Sequence, residues 1–392
     1  MNYSFADRVQ ALQPSVIREI LKYASVPGMI SLAAGNPAPE AFPVEEIREI
    51  TADILSSRPI DALQYSVTEG YTPLREALRK RYSGFFHGDT DDIIITSGAQ
   101  QVMELATKSL CNEGDVIICE APSFIGSLNS FRSLNARLVG IPMEKDGMKL
   151  DELEKALKNN ENVRFIYIIP NFQNPSGLVT SLEKKHKIYD LAKKYGVMIL
   201  EDNPYGDTAF DGTQVPAFKS FDEDGIVIYA GTFSKVISPG LRVGYGIAPK
   251  PVLAKMTVCK QVSDVHTSIF SQQIVHKFMT EYDYEAHLKK IREIYRKKAG
   301  LMISLMDIEL APRVEYTAPK GGLFIWCDLP EDIDILEFCR KGVERNVAVV
   351  PGSAFMVDES QPCHSIRLNY STPTDEQIEK GIRLLGELML EY

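Results

Sequence analysis

Short apolar runs recur along the first two thirds of the chain and are separated by segments of helical pattern. The runs are rich in β-branched residues and lie at residues 92–96, 116–120, 163–170, 197–201, 226–230 and 243–248. Between them, apolar positions follow a helical period, for instance at residues 100–110 and 182–195. Strands that are apolar throughout are buried on both faces, and intervening helices are typical of crossover connections. The pattern therefore predicts an α/β fold with a mostly parallel central sheet flanked by helices.

The pattern changes after about residue 250, where charged residues become frequent. The elements predicted beyond this point are a long helical region, two strands and a closing helix, at residues 271–306, 323–327, 366–370 and 374–391. We predict a large domain at residues 46–290 and a smaller α/β domain at residues 291–392. Residues 1–45 would form an N-terminal arm and part of the small domain.

Composition excludes several classes of protein. Among 392 residues, 53 are acidic and 43 basic, and the net charge of −10 argues against general binding of nucleic acid or an anionic membrane. No apolar segment is long enough to span a membrane, and charges throughout residues 1–19 do not match a signal peptide. Six scattered cysteines without a CxxC pair predict reduced thiols in a cytoplasmic protein. The six histidines show no metal-ligand spacing, so no metal site is predicted.

A lysine that could act as a nucleophile follows the apolar run at residues 226–230. Lys235 lies among small hydroxyl residues, and Arg242 follows seven positions later, after a Pro-Gly turn. Partial desolvation and nearby cations lower the pKa of such a lysine, which can then attack an aldehyde. The arginine could bind a phosphate bidentately. An aldehyde and a phosphate in one small molecule describe pyridoxal phosphate, although a single lysine is more often a solvated surface residue.

Polar or small residues also follow the first two runs. The segment from Thr96 to Gln101 ends a strand and starts a helix, whose free N–H groups can bind an anion. A plain tight turn explains the same residues. Phe124 follows the second run and could stack on a planar cofactor, or it could belong to the core.

The next two strand ends carry groups that suit a pyridine ring. Asn174 follows the third run and could donate to a phenolate oxygen, while its Asn-Pro-Ser-Gly context is equally typical of a turn. Asp202 follows the fourth run and could keep a pyridine nitrogen protonated, and Tyr205 could donate to the ring oxygen. An Asx-type turn with a packed tyrosine is the alternative. Each signal is weak, but five successive strand ends together supply what one such ring needs.

The chain resembles the fold type I pyridoxal-phosphate enzymes of the class I/II aminotransferase family. It is most similar to the branch containing 2-aminoadipate and kynurenine aminotransferases. The similarity extends from residues 30–37 to residues 366–368, and its most specific part is the order and spacing of five residues, Asn174, Asp202, Tyr205, Lys235 and Arg242. The resemblance implies a large domain with a mostly parallel sheet, a smaller α/β domain, and pyridoxal 5′-phosphate as the cofactor.

The resemblance also implies a role for each cofactor-binding residue. Lys235 would bind the cofactor aldehyde covalently and carry the substrate proton. Asp202 would pair with the ring nitrogen, Asn174 and Tyr205 would bind the ring oxygen, and Phe124 would stack on the ring. The phosphate would be bound by the segment Ser97, Gly98, Ala99 and Gln100 together with Thr232, Ser234 and Arg242. Many relatives carry serine at position 99 and tyrosine at position 124, so this chain would rely on backbone N–H groups and on stacking alone.

Substrate and partner residues follow from the same resemblance. Arg367 would bind the α-carboxylate of amino and oxo acids, with Asn174 beside it, and Gly35 would lie over the substrate. Arg18 would contact a distal substrate carboxylate, or is a solvated helix charge. Tyr65 matches a tyrosine that reaches the phosphate of the neighbouring subunit, which implies a homodimer with shared active sites.

The function implied is transfer of an amino group from an L-amino acid to a 2-oxo acid. The exchange has two steps, through pyridoxamine phosphate, with glutamate and 2-oxoglutarate as the expected common pair. A β-lyase or decarboxylase on the same fold is the alternative. A further alternative is the effector domain of a transcription regulator. Such regulators carry a DNA-binding module ahead of this domain, and the aminotransferase-like region begins by about residue 15, which leaves no room for that module. The preferred amino donor stays open.

Overall fold

A computed structural model describes residues 3–10, 28–87, 89–311, 313–358 and 360–392 of the protein. The described strands are β1 Ile30–Ser31, β2 Asp91–Thr96, β3 Val116–Ala121, β4 Arg137–Glu144, β5 Gly147–Met148, β6 Val163–Ile168, β7 Met198–Asp202, β8 Val227–Thr232, β9 Gly244–Pro249, β10 Glu315–Tyr316, β11 Phe324–Asp328, β12 Val347–Ala348, β13 Val350–Pro351 and β14 Ser365–Asn369.

Eight strands form the central sheet, in the order β2-β9-β8-β7-β6-β3-β4-β5. β3, β4, β6, β7 and β8 pair in parallel. β9 is antiparallel to both of its neighbours, so β2 runs in the same direction as β8. The predicted mostly parallel sheet is confirmed, and the carboxyl ends of five predicted strands lie along one edge, where ligands bind in sheets of this type.

Helices cover both faces of this sheet and continue into the C-terminal third. Their bounds are Asp7–Gln10, Val44–Ser57, Pro59–Leu63, Thr72–Arg81, Ala99–Leu110, Ile125–Arg132, Leu150–Asn159, Leu182–Tyr195, Lys250–Ser263, Ile269–Glu281, Tyr284–Glu309, Ile335–Glu344 and Asp375–Met389. The helix Leu182–Tyr195 shows why the sequence folds this way. Its N-cap Ser181 accepts a hydrogen bond from the N–H of Lys184, and Gly196 ends it in the left-handed conformation.

The single helical region predicted at residues 271–306 is two helices. The first is Ile269–Glu281 and the second is Tyr284–Glu309. Asp283 separates them, because its side chain accepts a hydrogen bond from the N–H of Ala286 and so caps the second helix.

The C-terminal third forms a second, smaller sheet. β10, β11, β14 and β13 make an antiparallel sheet in that order, and β1 from the N-terminal segment pairs in parallel with β12. The helix Tyr284–Glu309 packs against the closing helix Asp375–Met389. None of the helices in the described ranges is long and apolar enough to cross a bilayer.

Candidate active site

A cleft of about 330 Å³ opens where the carboxyl ends of the parallel strands meet the smaller sheet. Twelve of the residues predicted from the sequence line it. They are Gly35, Ala99, Gln100, Phe124, Asn174, Asp202, Tyr205, Thr232, Ser234, Lys235, Arg242 and Arg367. Residues separated by more than 300 positions along the chain thus meet in one cavity, whose size suits a small molecule.

Lys235 lies in the turn after β8, with its amine inside the cleft. Its Nζ donates a hydrogen bond to the carbonyl oxygen of Gly35, 2.8 Å away. Desolvation lowers the pKa of Lys235 to about 8, and the positive charges of Arg367 and Arg242 act in the same direction. The negative charge of Asp202 opposes this shift. The uncharged, nucleophilic form of this amine is therefore far more populated near neutral pH than that of an ordinary lysine.

Asp202 ends β7 and is buried. Its Oδ2 accepts a hydrogen bond from Tyr167 at 2.7 Å, while Oδ1 is buried and has no hydrogen-bond partner among the described residues. Burial raises the pKa of Asp202 to about 7, against the opposing effects of the Tyr167 hydrogen bond and the Lys235 charge. A buried carboxylate oxygen without a partner is costly. The protonated nitrogen of a pyridine ring would satisfy it.

Arg367 points into the cleft from β14 of the smaller sheet. Its Nη1 donates to Asn174 Oδ1 at 2.8 Å, and its Nη2 donates to the carbonyl oxygen of Ala33 at 2.6 Å. The guanidinium lies 4.2 Å from the ring centre of Phe324. Burial lowers the pKa of Arg367 to about 10, so the group stays cationic at neutral pH. Five N–H donors with two in use leave three for an anionic ligand.

Asn174 and Tyr205 form the side of the cleft beside this arginine. Both are buried, and the side chain of Asn174 lies close enough to the Tyr205 hydroxyl to influence its pKa. Burial raises the pKa of Tyr205, while the nearby Arg367 charge opposes that rise. The phenol therefore stays protonated and can donate to an oxygen of a bound ring.

The opposite end of the cleft is built for an anion. The helix Ala99–Leu110 starts at Gly98, and its first N–H groups have no partner within the helix. Arg242 adopts the left-handed conformation (φ 54°) and its Nη2 donates to the carbonyl oxygen of Ser97 at 2.9 Å. The hydroxyl of Thr232 lies 3.0 Å from that of Ser234. Together these donors and the positive charge suit a phosphate group.

Gly98 is required by the close approach of this arginine. Its φ is +86°, and a Cβ at this position would lie 2.4 Å from Nη2 of Arg242. Any other residue would be strained in its backbone and would displace the guanidinium.

Among the other predicted residues that the structure describes, Ser97, Gly98 and Tyr65 are not part of the cleft lining. The Ser97 hydroxyl donates to Asp264 at 2.8 Å, so its side chain faces away while its carbonyl supports Arg242. Tyr65 is 81% exposed, and its ring lies edge-on to His266. Arg18 lies outside the described residues.

The sequence pattern missed the residues behind Asp202. Tyr167, near the carboxyl end of β6, hydrogen-bonds to Asp202, and Ser127 lies 2.8 Å from the same hydroxyl. A tyrosine in the buried part of a largely apolar strand needs a partner for its hydroxyl, and this was the available signal. Within the described ranges, no group of three or more histidine, cysteine, aspartate or glutamate side chains could hold a metal ion.

The fold and the cleft define a fold type I enzyme dependent on pyridoxal phosphate. The family model of aminotransferase class I and II matches residues 27–385. The chain therefore belongs to the class I and II aminotransferase family. It is an aminotransferase that uses pyridoxal 5′-phosphate to move amino groups between amino acids and 2-oxo acids.

Individual relatives agree with this assignment over nearly the whole chain. A 2-aminoadipate transaminase of Thermus thermophilus is 39% identical, over 98% of this chain and 96% of the relative. Aromatic-amino-acid aminotransferase 1 of Thermococcus litoralis is 38% identical, over 99% of this chain and 94% of the relative. The crystal structure of α-aminoadipate aminotransferase from Thermus thermophilus, complexed with N-(5′-phosphopyridoxyl)-L-leucine, superposes with a TM-score of 0.91. It is 37% identical, and the match covers 99% of this chain and 97% of that one.

Proposed function

We propose that Lys235 is the residue that holds the cofactor covalently and moves the substrate proton. The observation that carries this proposal is the shared cleft of Lys235, with its lowered pKa, and the unpartnered Oδ1 of Asp202. When bound, the cofactor supplies an aldehyde and an electron-withdrawing ring. Asp202 keeps the ring nitrogen protonated, and Asn174 and Tyr205 donate hydrogen bonds to the ring oxygen.

The remaining cleft residues would hold the cofactor and the substrate in place. Phe124 would stack on the ring, and residues at the start of the helix Ala99–Leu110 would bind the phosphate. The phosphate-binding set would consist of Ala99, Gln100, Thr232, Ser234 and Arg242. Ser97 and Gly98 would contribute indirectly, because their N–H groups already donate to Gln101 Oε1 and to the carbonyl oxygen of Thr96, while the Ser97 carbonyl holds Arg242. Arg367 would orient the substrate by binding the substrate's α-carboxylate. This arginine is buried beside Asn174 and has three N–H donors that are not used within the described residues. Gly35 covers the substrate, since its carbonyl lies next to the Lys235 amine.

Glutamate and 2-oxoglutarate form the common substrate pair in this proposal. One relative is named for 2-aminoadipate, an acidic amino acid, and another for aromatic amino acids, which supports a site that accepts both kinds of side chain. Arg18 is the candidate for the distal carboxylate. The proposed domains are residues 1–45, 46–290 and 291–392. The proposed location is the cytoplasm, because all six cysteines are free thiols.

The substrate proposal is tested in a single half-reaction. L-glutamate mixed with the holoenzyme in a stopped-flow instrument is expected to shift the cofactor absorbance to that of the amine form and to release one equivalent of 2-oxoglutarate. D-glutamate is the control and should leave the spectrum unchanged. An unchanged spectrum with L-glutamate would reject the proposed pair. Carbon dioxide with 4-aminobutyrate in place of 2-oxoglutarate would indicate a decarboxylase. Pyruvate with ammonia from a donor with a β leaving group, such as L-cysteine, would indicate a β-lyase.

A homodimer with shared sites completes the proposal. Tyr65 is exposed next to exposed apolar side chains at Ile60, Leu63 and Val67, and Val262 on a nearby helix is 83% exposed. Clusters of this kind on a surface are typical of protein interfaces. Tyr65 of one subunit would donate its hydroxyl to the phosphate bound by the other.

Sedimentation is expected to give twice the monomer mass. The variant Tyr65→Phe should remain a dimer and bind pyridoxal phosphate about tenfold more weakly, because one hydrogen bond to a charged group is lost. Tyr195→Phe, which removes a surface hydroxyl near Glu154, is the control. A monomer, or unchanged cofactor affinity in Tyr65→Phe, would contradict the proposal.

A further inference from the structure

A chain of hydroxyl groups leads from the helix Ile125–Arg132 to Asp202. The Tyr167 hydroxyl lies 2.7 Å from Asp202 Oδ2 and 2.8 Å from Ser127 Oγ. Burial and the Asp202 charge raise the pKa of Tyr167, so its hydroxyl keeps its proton. When Asp202 is ionised, its carboxylate can only accept hydrogen bonds, so Tyr167 donates to Asp202 and Ser127 donates to Tyr167.

The ring of Tyr167 is fixed in this position. It is buried within β6, and the ring of Phe131 packs against it edge-on, with 5.2 Å between ring centres. The tyrosine therefore binds one particular oxygen of Asp202. The other oxygen, Oδ1, is the one that is buried without a partner in the described structure.

We propose that Tyr167, supported by Ser127, is a positioning residue that leaves Oδ1 of Asp202 to the cofactor nitrogen and keeps the shared proton on that nitrogen. This inference rests on the proposed role of Asp202. A hydrogen bond to a carboxylate stabilises its charged form and lowers its proton affinity. Without the Tyr167 hydroxyl, Asp202 would compete more strongly for the proton that it shares with the ring.

Two further ionisable groups face Asp202 from other elements. Glu120 on β3 is buried, and burial raises its pKa to about 8, so it is mostly neutral at neutral pH. Lys235 contributes a positive charge that favours the ionised form of Asp202, and covalent attachment of the cofactor changes that charge. The hydrogen bond from Tyr167, in contrast, stabilises the ionised form of Asp202 whatever the charge of Lys235.

The experiment measures the protonation of the ring nitrogen in the holoenzyme loaded with ¹⁵N-labelled pyridoxal phosphate. Tyr167→Phe keeps the packing against Phe131 and removes the hydroxyl. The ratio of ring-protonated to carboxyl-protonated forms is expected to fall about tenfold, which moves the ¹⁵N chemical shift toward that of a neutral pyridine. Ser127→Ala should cause a smaller shift in the same direction. Tyr189→Phe is the matched control, because it removes a phenol that contacts two carboxylates outside the cleft.

Comparison with Asp202→Asn separates this inference from the proposed function. A changed ¹⁵N shift in Asp202→Asn and in Tyr167→Phe supports both. A change in Asp202→Asn alone overturns the role of Tyr167 and leaves that of Asp202 intact. No change in Asp202→Asn overturns the role of Asp202 itself. Should Tyr167→Phe fail to fold, an unchanged shift in Ser127→Ala overturns the inference, and a change in the expected direction supports it.

Discussion

Lys235→Ala is expected to lose transaminase activity by about four orders of magnitude or more, because the variant lacks both the covalent link to the cofactor and the proton carrier. The absorbance band of covalently held pyridoxal phosphate should disappear, while noncovalent binding persists through the phosphate and ring contacts. Steady-state rates and an absorbance spectrum of the purified variant measure both effects.

A surface lysine provides the control for this variant. Lys250→Ala removes an exposed amine that pairs with Asp89 and lies outside the cleft, and it should keep the wild-type spectrum and rate. Substantial turnover in Lys235→Ala would contradict the role assigned to Lys235. A persistent covalent spectrum in that variant would point to another lysine.

Arg367→Lys is expected to lower kcat/KM by about 10²- to 10³-fold, mainly through a higher KM for amino and oxo acids. A lysine keeps the positive charge but cannot bind a carboxylate bidentately, and it leaves Asn174 and the carbonyl of Ala33 without the partner they now have. Losing such a buried charged hydrogen bond costs about 3–4 kcal/mol. Steady-state kinetics for both substrates measure the effect.

The effect on the cofactor distinguishes this role from a general structural one. Because the lysine keeps the positive charge and Arg367 acts mainly on the substrate, Arg367→Lys should keep the absorbance band of the covalently held cofactor. Its cofactor affinity should fall far less than its kcat/KM, through the lost hydrogen bond to Asn174. Arg132→Lys is the matched control, since Arg132 also donates to a backbone carbonyl, that of Val357, but lies outside the cleft. A KM equal to that of the wild type would exclude Arg367 as the carboxylate-binding residue.

The sequence predicted the parts of the fold that depend on local pattern. Strands buried on both faces produce continuous apolar runs, so β2, β3, β6, β7, β8 and β9 were predicted within a few residues of their ends. β4 was missed because Gly140 and Pro142 interrupt its pattern, and most of its residues are only partly buried or exposed. The break at Asp283 was missed because no glycine or proline lies between the two helices to mark it in the sequence.

The site was predictable to a similar extent and for a related reason. Side chains directly after a buried strand share one sheet edge, so Asn174, Asp202 and Lys235 could be brought together from their positions alone. The contact between Tyr167 and Asp202 could not, since it depends on the register between β6 and β7. The orientation of the Ser97 side chain depends on Asp264, which is far away in the sequence.

Covalent mapping of the cofactor tests the central claim most directly. The holoenzyme is reduced with sodium borohydride and digested, and the peptides are analysed by mass spectrometry. The phosphopyridoxyl mass is expected on Lys235. Lys185 is the strongest internal competitor, because burial lowers its pKa to about 8 as well, but it lies outside the cleft. Modification of Lys185, or of any lysine other than Lys235, would contradict the assignment of this cleft as the active site.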